Sequence, residues 1–525
     1  MTMTGSSWQS RENTALTLAR NVSTRYILVV INMAIGLLVL PYNVQHLGSA
    51  SYGLWMLAAS VTANLAVLDL GYGGAVIRYV AEFRAKRDAG ALNEVLSTVA
   101  YVFTSIGVGC YAIAVLVAIW FPHIFNVEPN QVLTGRIVLL VIALQVAFYF
   151  RFSVYGAVIN GFEQYHLNNV VGIVFNVAAA VVNVLVLWFG YGLIELVAAT
   201  TLMRIAPLWV YRRNAYRVFP QLQIRREWFR RDRLRELSGF SVYLAVVDWS
   251  TRLTYATDAL YLGVLMNTAA VGIYAIAQRL AEALLNLTNQ LHTFLLPAVV
   301  SRAVDGDFER QQSLMIKATR FQLAIAMCLC GAVAALAQVL IRAWIGASAQ
   351  ESVRVTQLLA VSVVLRAWTA MPITMLQGTG HHRFVAVAAS LCAVANLLLS
   401  IPLIKMFGLI GVALGTIVPV AIFALAIFAR SCAVVRLSVG QGLRQIVWPT
   451  IWPAAIVVVV LFSISGALPP GLVPVLASLT CGGLLYAAIF FAGGLDRDER
   501  RWLVSTFTAM GGRCIPRLAA ESALR

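Results

Sequence analysis

Apolar runs of close to twenty residues recur along this chain from residue 26 to residue 492. As a helix, a run of that length matches the hydrocarbon thickness of a bilayer. Hydrocarbon offers the backbone no hydrogen-bond partner, so only helices or a closed barrel span it. Because a barrel strand needs only about ten residues, the sequence predicts an all-α, polytopic membrane protein with about fourteen transmembrane helices.

Composition supports this fold class and narrows the function. Of 525 residues, 60% are hydrophobic and 12% are charged, which is unlike a soluble domain. The seven cysteines are scattered, and Cys328 and Cys330 fall on different faces of a helix. We therefore predict no metal site, no cofactor and no nucleic-acid partner. The polar stretch before the first run lacks a small-residue cleavage site, so we expect no cleaved signal peptide.

Windows of about twenty residues place the individual spans. The first half contains six, near 25–46, 54–80, 95–121, 133–158, 167–188 and 192–211. The second half contains eight, near 238–264, 270–299, 314–344, 354–376, 384–404, 409–429, 447–467 and 472–492. An even count puts both termini on one side of the membrane.

Basic residues predict which side that is. They gather before the first span and in alternate loops, as Arg11, Arg20, Arg25, Arg84, Lys86, Arg87, Arg302, Arg310, Arg430, Arg436 and Arg444. Cytoplasmic loops carry such an excess, so we expect both termini in the cytoplasm. The segment 212–235 holds nine arginines against Glu227 and Asp232. It fits a stretch lying on anionic headgroups, with attraction of an anionic substrate as the alternative.

An internal repeat predicts the domain organisation. Tyr52-Gly53-Leu54-Trp55 follows the first span, and the similar Val271-Gly272-Ile273-Tyr274 follows the seventh. Gly-Leu-Ile recurs where the sixth span of each half begins, at 192–194 and 408–410. The repeat predicts two six-helix bundles with internal pseudo-symmetry, at 1–211 and 236–430. A basic cytoplasmic linker at 212–235 joins them. The last part, 431–525, contains helices 13 and 14 and a cytoplasmic tail.

The first hairpin carries a family resemblance. Its features, in chain order, are Arg20-Asn21, Pro41, His46-Leu47-Gly48, Tyr52-Gly53-Leu54-Trp55, Leu68-Asp69-Leu70-Gly71 and Arg78. This order resembles the oligosaccharide flippases of the Wzx or polysaccharide-exporter type. Their superfamily also includes multidrug-extrusion and lipid II flippases, and the resemblance covers nearly the whole chain.

The resemblance implies a mechanism and a place in the cell. It implies two bundles around a cavity, lined mainly by the first, second, seventh and eighth helices, that opens alternately inward and outward. The implied cargo is a lipid-linked oligosaccharide for O-antigen, capsule or exopolysaccharide biosynthesis in a bacterial inner membrane. Membrane lipids and polysaccharide polymerase or assembly proteins are the implied partners. The family is diverse, so the match identifies the transport class better than the sugar.

Charged residues within the spans are the candidates for the transport site. A charge at the bilayer centre costs about 2.5–3.5 kcal/mol on insertion scales, so it is found mainly where it pairs or meets water. We predict that the cavity binds the pyrophosphate through Arg25, Arg78, Arg252, Arg279 and Tyr255, since guanidinium groups bind phosphate oxygens bidentately. For Arg25 and Arg78 the alternative is snorkelling to the cytoplasmic headgroups.

Four carboxylates are candidates for ion coupling. Asp69, Asp248, Asp258 and Glu282 lie in the second, seventh and eighth spans. A carboxylate whose burial changes between conformational states can bind and release a proton or a sodium ion. The alternative is structural: Asp248 with Arg252, and Arg279 with Glu282, have the spacing of ion pairs on one helix face.

Three other functions compete with a flippase. Asp305-Gly306-Asp307 and Asp496-Arg497-Asp498 match the pattern of a metal-bound nucleotide-sugar site, but no aqueous segment is long enough for a catalytic domain. A membrane glycosyltransferase or polymerase is therefore disfavoured, and we predict no enzyme activity. A cation-coupled multidrug antiporter would favour acidic residues over this arginine-rich set. A non-transporting scaffold of the same fold is the remaining alternative.

Overall fold

A computed structural model describes residues 14–65, 68, 72–232, 242–303, 308–495 and 499–501. These residues are almost entirely helical and contain no strand, so the predicted all-α membrane fold is confirmed. The helices of eight residues or more are α1 Thr14–Leu65, α2 Tyr72–Lys86, α3 Ala89–Ile119, α4 Val132–Gly161, α5 Tyr165–Trp188, α6 Leu193–Val218, α7 Val242–Ala256, α8 Asp258–Leu265, α9 Thr268–Ala303, α10 Phe308–Trp344, α11 Ser352–Gly378, α12 His382–Phe407, α13 Leu409–Val434, α14 Trp448–Ser465 and α15 Leu472–Ile489.

The span count follows from length and apolarity. Within the described ranges, eleven segments are long and apolar enough to cross a membrane. The second predicted span shares one segment with the first, because α1 runs for 52 residues and is interrupted only at Gly48, where φ is +76°. The seventh and eighth predicted spans form α7 to α9, which carry the charges of the candidate site. Of the fifteen described helices given above, fourteen are at least fifteen residues long, and only α8 is shorter.

The outward faces of these helices are apolar. Leu38, Leu398 and Val473 are 71%, 68% and 78% exposed. In water such extensive apolar exposure would cause association, whereas in a bilayer it is the normal surface of a spanning helix.

The described helices form two compact units. One comprises residues 1–283, 345–359 and 381–423. Within it α3 packs on α4, α4 on α6, α1 on α5, and α7 on α12. All the predicted site residues that the structure describes belong to this unit. The boundaries of the predicted domains, including the linker at 212–235, remain a prediction.

The other unit comprises residues 284–344, 360–380 and 424–525. In it α10 packs against α14 and α15. Arg320 of α10 and Glu499 form an ion pair whose side chains are 5% and 4% exposed. Arg320 also donates a hydrogen bond to the carbonyl oxygen of Gln445, 3.5 Å away, in a π-helical turn before α14. The ion pair thus connects α10 to residues 499–501, which follow α15 in the chain.

Removing the carboxylate of this pair should destabilise the protein. We expect Glu499→Gln to cost about 3–5 kcal/mol, because a buried charge that loses its partner is not compensated. The exposed Glu309, also on α10, supplies the control Glu309→Gln, expected within about 0.5 kcal/mol of wild type. Thermal unfolding in lipid nanodiscs measures both, and equal melting of the two variants would contradict the structural role.

Candidate functional site

The two repeated turns meet each other through their glycines on the side predicted to face outward. A Cβ atom at Gly53 would collide with the carbonyl oxygen of Thr268 and approach the Gly272 nitrogen to 2.7 Å. A Cβ atom at Gly272 would collide with the carbonyl oxygen of Ser49 and lie 3.2 Å from the Gly53 nitrogen. The contact is reciprocal, as expected for related segments. We call these four residues the outer glycine crossing.

Arg279 lies deep in α9, beside a third glycine. At about 1.5 Å per residue it is about 16 Å along the helix from Thr268 at the predicted outer end, a distance of about half the thickness of a core of about 30 Å. A Cβ atom at Gly36 of α1 would collide with the Arg279 guanidinium and lie 2.6 Å from its Nε. Glycine at position 36 therefore leaves the space that this guanidinium occupies.

The predicted pair of Arg279 and Glu282 is present and open. Arg279 Nη1 lies 3.2 Å from Glu282 Oε2, and the two side chains are 43% and 47% exposed. Charged groups this exposed at mid-membrane depth require a hydrated space rather than lipid. An open pair can exchange one partner for a ligand, so pairing and binding are compatible.

The other predicted arginines are on separate helices. Arg25 on α1, Arg78 on α2 and Arg252 on α7 are all exposed, and Tyr255 on α7 is half-buried. Outside the spans, the Lys86 ammonium donates a hydrogen bond of 2.6 Å to the Glu82 carboxyl. This hydrogen bond is the main cause that lowers the pKa of Glu82, and the charge of Arg78 makes a smaller contribution. Whether these arginines act together with Arg279 remains a prediction.

Arg204 on α6 was not among the predicted site residues. Its side chain is exposed, and the charge of Arg279 acts on it. From Leu193 it is about 16 Å along the helix, a depth similar to that of Arg279. Its position in the middle of the sixth predicted span was the signal in the sequence. The surroundings of this arginine, in contrast, depend on helix packing.

Asp258 is the most buried of the candidate carboxylates with a described side chain, at 2% exposure. Tyr274 Oη donates a hydrogen bond of 2.5 Å to Asp258 Oδ2, and Thr416 Oγ1 donates one of 3.3 Å to the same oxygen. Asn396 Nδ2 in turn donates to Thr416 Oγ1 at 3.1 Å. We call these four residues the Asp258 cluster. It joins α8, α9, α12 and α13.

Some predicted features lie outside the description. Asp69 lies outside the described residues, as do the acidic pairs at 305–307 and 496–498, and the side chain of Asp248 is also not described. Among the residues that are described, no group of three or more histidines, cysteines or carboxylates is placed to hold a metal ion.

A side chain at the outer glycine crossing should be poorly tolerated. Gly53→Ala should cost about 1–3 kcal/mol by overpacking, because the atoms that its methyl group would meet belong to the backbone. Gly109→Ala is the control, since its Cβ atom would have no neighbour within 4 Å and alanine favours the helix. Apparent melting temperatures in nanodiscs should fall only for Gly53→Ala. A melting temperature unchanged by Gly53→Ala would mean that the crossing is loosely packed.

Comparison with known proteins identifies similar sequences and folds. The model of the family described as polysaccharide biosynthesis protein matches residues 18–303. Among solved structures, the lipid II flippase MurJ in an inward closed conformation has a TM-score of 0.70 at 13% identity, covering 89% of this chain and 97% of its own.

Two multidrug transporters are also similar in fold. An inward-facing MATE family transporter of the MOP superfamily has a TM-score of 0.63 at 15% identity, covering 78% of this chain and 94% of its own. The MATE multidrug transporter DinF-BH has a TM-score of 0.57 at 14% identity, covering 82% and 98%. No curated protein matches the sequence. At these identities the solved structures establish the fold alone.

Proposed function

Because this chain belongs to the polysaccharide biosynthesis protein family, we propose that it flips polyprenyl-pyrophosphate-linked oligosaccharides from the cytoplasmic to the outer leaflet. Transport proceeds by alternating access in a bacterial inner membrane, with both termini in the cytoplasm. The product serves the assembly of a cell-surface polysaccharide such as O-antigen, capsule or exopolysaccharide. The protein acts as a transporter and not as an enzyme.

The observation that carries this proposal is the exposed Arg279 guanidinium, which lies about 16 Å along α9 from its predicted outer end. A guanidinium stays charged at every physiological pH and offers paired donors that match phosphate oxygens. Its partner Glu282 lies only one helical turn away, at 3.2 Å. A pyrophosphate, with more charge than one carboxylate, displaces Glu282 from Arg279, and Glu282 takes the arginine back when the cargo leaves.

Further arginines extend the cationic surface. Arg204 lies at a similar distance along α6 and is near enough to Arg279 for the two positive charges to repel each other. Arg25 and Arg78 lie near the predicted cytoplasmic face, where they attract the lipid-linked anion before it reaches Arg252, Tyr255 and Arg279. Positive charge along one route raises the local concentration of an anionic substrate.

The same charges disfavour the multidrug antiporter. A cationic drug would meet Arg204 and Arg279 in the middle of the membrane, where a like charge is poorly screened. Such a juxtaposition costs several kcal/mol in a recognition site. Fold similarity to the MATE transporters leaves this alternative for experiment to decide.

Transport by reconstituted protein tests the proposal. Liposomes containing the wild type should translocate a fluorescent polyprenyl-pyrophosphate oligosaccharide, followed by quenching of the label on the outer leaflet. We expect Arg279→Ala to slow translocation about tenfold or more, since a hydrogen bond to a charged group contributes about 1.5–3 kcal/mol. Arg279→Lys should retain part of the rate, because the charge remains without the paired donors.

Glycine variants make the test independent of the charge itself. Gly36→Ala should slow transport, because the three atoms nearest to its methyl group all belong to the flexible Arg279 guanidinium, which must move aside. Gly109→Ala should leave the rate unchanged. If wild type fails to move the lipid but exports cationic dyes against a proton gradient, the drug antiporter replaces the proposal. If Arg279→Ala transports normally, this arginine is not in the binding site.

A further inference from the structure

The Asp258 cluster lies next to the outer glycine crossing, because both contain residues of α9. Tyr274, which donates to Asp258 at 2.5 Å, follows Gly272 by two residues on α9. Asp258 itself is about 12 Å along the chain from Met266, the residue that follows α8, and Tyr274 is about 9 Å from Thr268. A movement of α9 that opens the crossing therefore also moves the hydroxyl that Asp258 depends on.

The partners of Asp258 are all neutral. Its carboxyl receives hydrogen bonds from two hydroxyl groups, and the described residues include no ion pair involving it. The titratable groups that face it are Tyr274 and Tyr261, with Tyr255 beyond Tyr274. Tyr261 directs its own hydroxyl to the carbonyl oxygen of Leu397, 3.2 Å away. The described groups that α12 and α13 contribute to the cluster are both neutral: the amide of Asn396 and the hydroxyl of Thr416.

When a buried carboxyl group has only neutral partners, its ionised form has a higher free energy than its protonated form. Two hydroxyl donors do not replace the hydration of a full negative charge at membrane depth, and the described residues place no cation beside it. The neutral acid has no such cost and keeps an acceptor oxygen for the hydroxyls. The cluster also contains an unused hydrogen-bond acceptor, since Asn396 Oδ1 is buried without a hydrogen-bond partner in the described structure.

We propose that the Asp258 carboxyl is a proton-binding site that controls the outer glycine crossing. The carboxyl carries a proton while the crossing is closed. When the crossing opens, Tyr274 withdraws, water enters the cluster, and the proton leaves to that water. The inference rests on the proposed function, because it assigns one step of alternating access to one residue.

The direction of the pH effect follows from this linkage. Protons bind the closed state more tightly than the open state, so acid favours closure and alkali favours opening. Asp258→Asn has the shape of the neutral acid and cannot ionise, so it should keep the crossing closed at every pH. Asp258→Glu keeps a titratable group and should keep the pH dependence.

Cysteine labelling measures the opening directly. Thr268 is 3% exposed at the crossing, so Thr268→Cys should react slowly with a membrane-impermeant maleimide while the crossing is closed. Its rate is divided by that of Asn130→Cys, an exposed position on the same predicted side, which removes the effect of pH on the thiol. Peptide mass spectrometry separates these sites from the native cysteines in the full-length protein.

We expect the normalised rate to rise severalfold as the outer pH increases from about 5 to about 8. The rise should persist with Asp258→Glu and with the exposed control Glu128→Gln, and should be absent with Asp258→Asn, whose rate stays low. Size-exclusion chromatography and the melting temperature establish that each variant is folded.

Three results would overturn the inference. They are a rate independent of pH in the wild type, a pH dependence that survives Asp258→Asn, and a dependence on sodium at constant pH, which would make the site a sodium site. Because labelling uses no lipid-linked cargo, its result stands apart from the transport assay. Failure of labelling with normal translocation removes only the proton site, whereas normal labelling without translocation removes only the flippase.

Discussion

A charged group in apolar surroundings needs a counter-charge, a set of hydrogen bonds or water, and the structure meets this requirement in three ways. Arg320 and Glu499 neutralise each other in a buried pair. Arg279 stays exposed beside Glu282, which requires a hydrated space. Asp258 is buried among hydroxyl groups. The first arrangement serves stability, and for the other two we propose binding of an anion and exchange of a proton.

Glycine provides the close approach that these arrangements need. At the outer glycine crossing, Gly53 and Gly272 let two backbones touch without an intervening side chain. Gly36 leaves room for a guanidinium. Such small-residue contacts are common in membranes, where no hydrophobic force pushes helices together and packing must supply the attraction. A main-chain contact of this kind also suits the opening and closing that we propose for the crossing.

The sequence predicted the fold well because the membrane imposes one simple rule. Apolar length gave the helices, and the similar turns around Gly53 and Gly272 marked segments that meet in the structure. The site was predicted only in part. The spacing of Arg279 and Glu282 on one helix face is local and visible in the sequence, whereas Arg204 was missed because its relation to Arg279 joins two distant helices.

Short-range residue spacing and helix packing thus determine different features of this protein. The sequence by itself determined the helical membrane class, the number of long helices, the Arg279–Glu282 pair and the family, since each depends on residue type and short-range spacing. Only the tertiary structure decided that Gly36 faces Arg279, and that Tyr274, Thr416 and Asn396 surround Asp258. These contacts join residues up to 243 positions apart for Gly36 and Arg279, and no periodicity along a single helix encodes which face of a distant helix it meets.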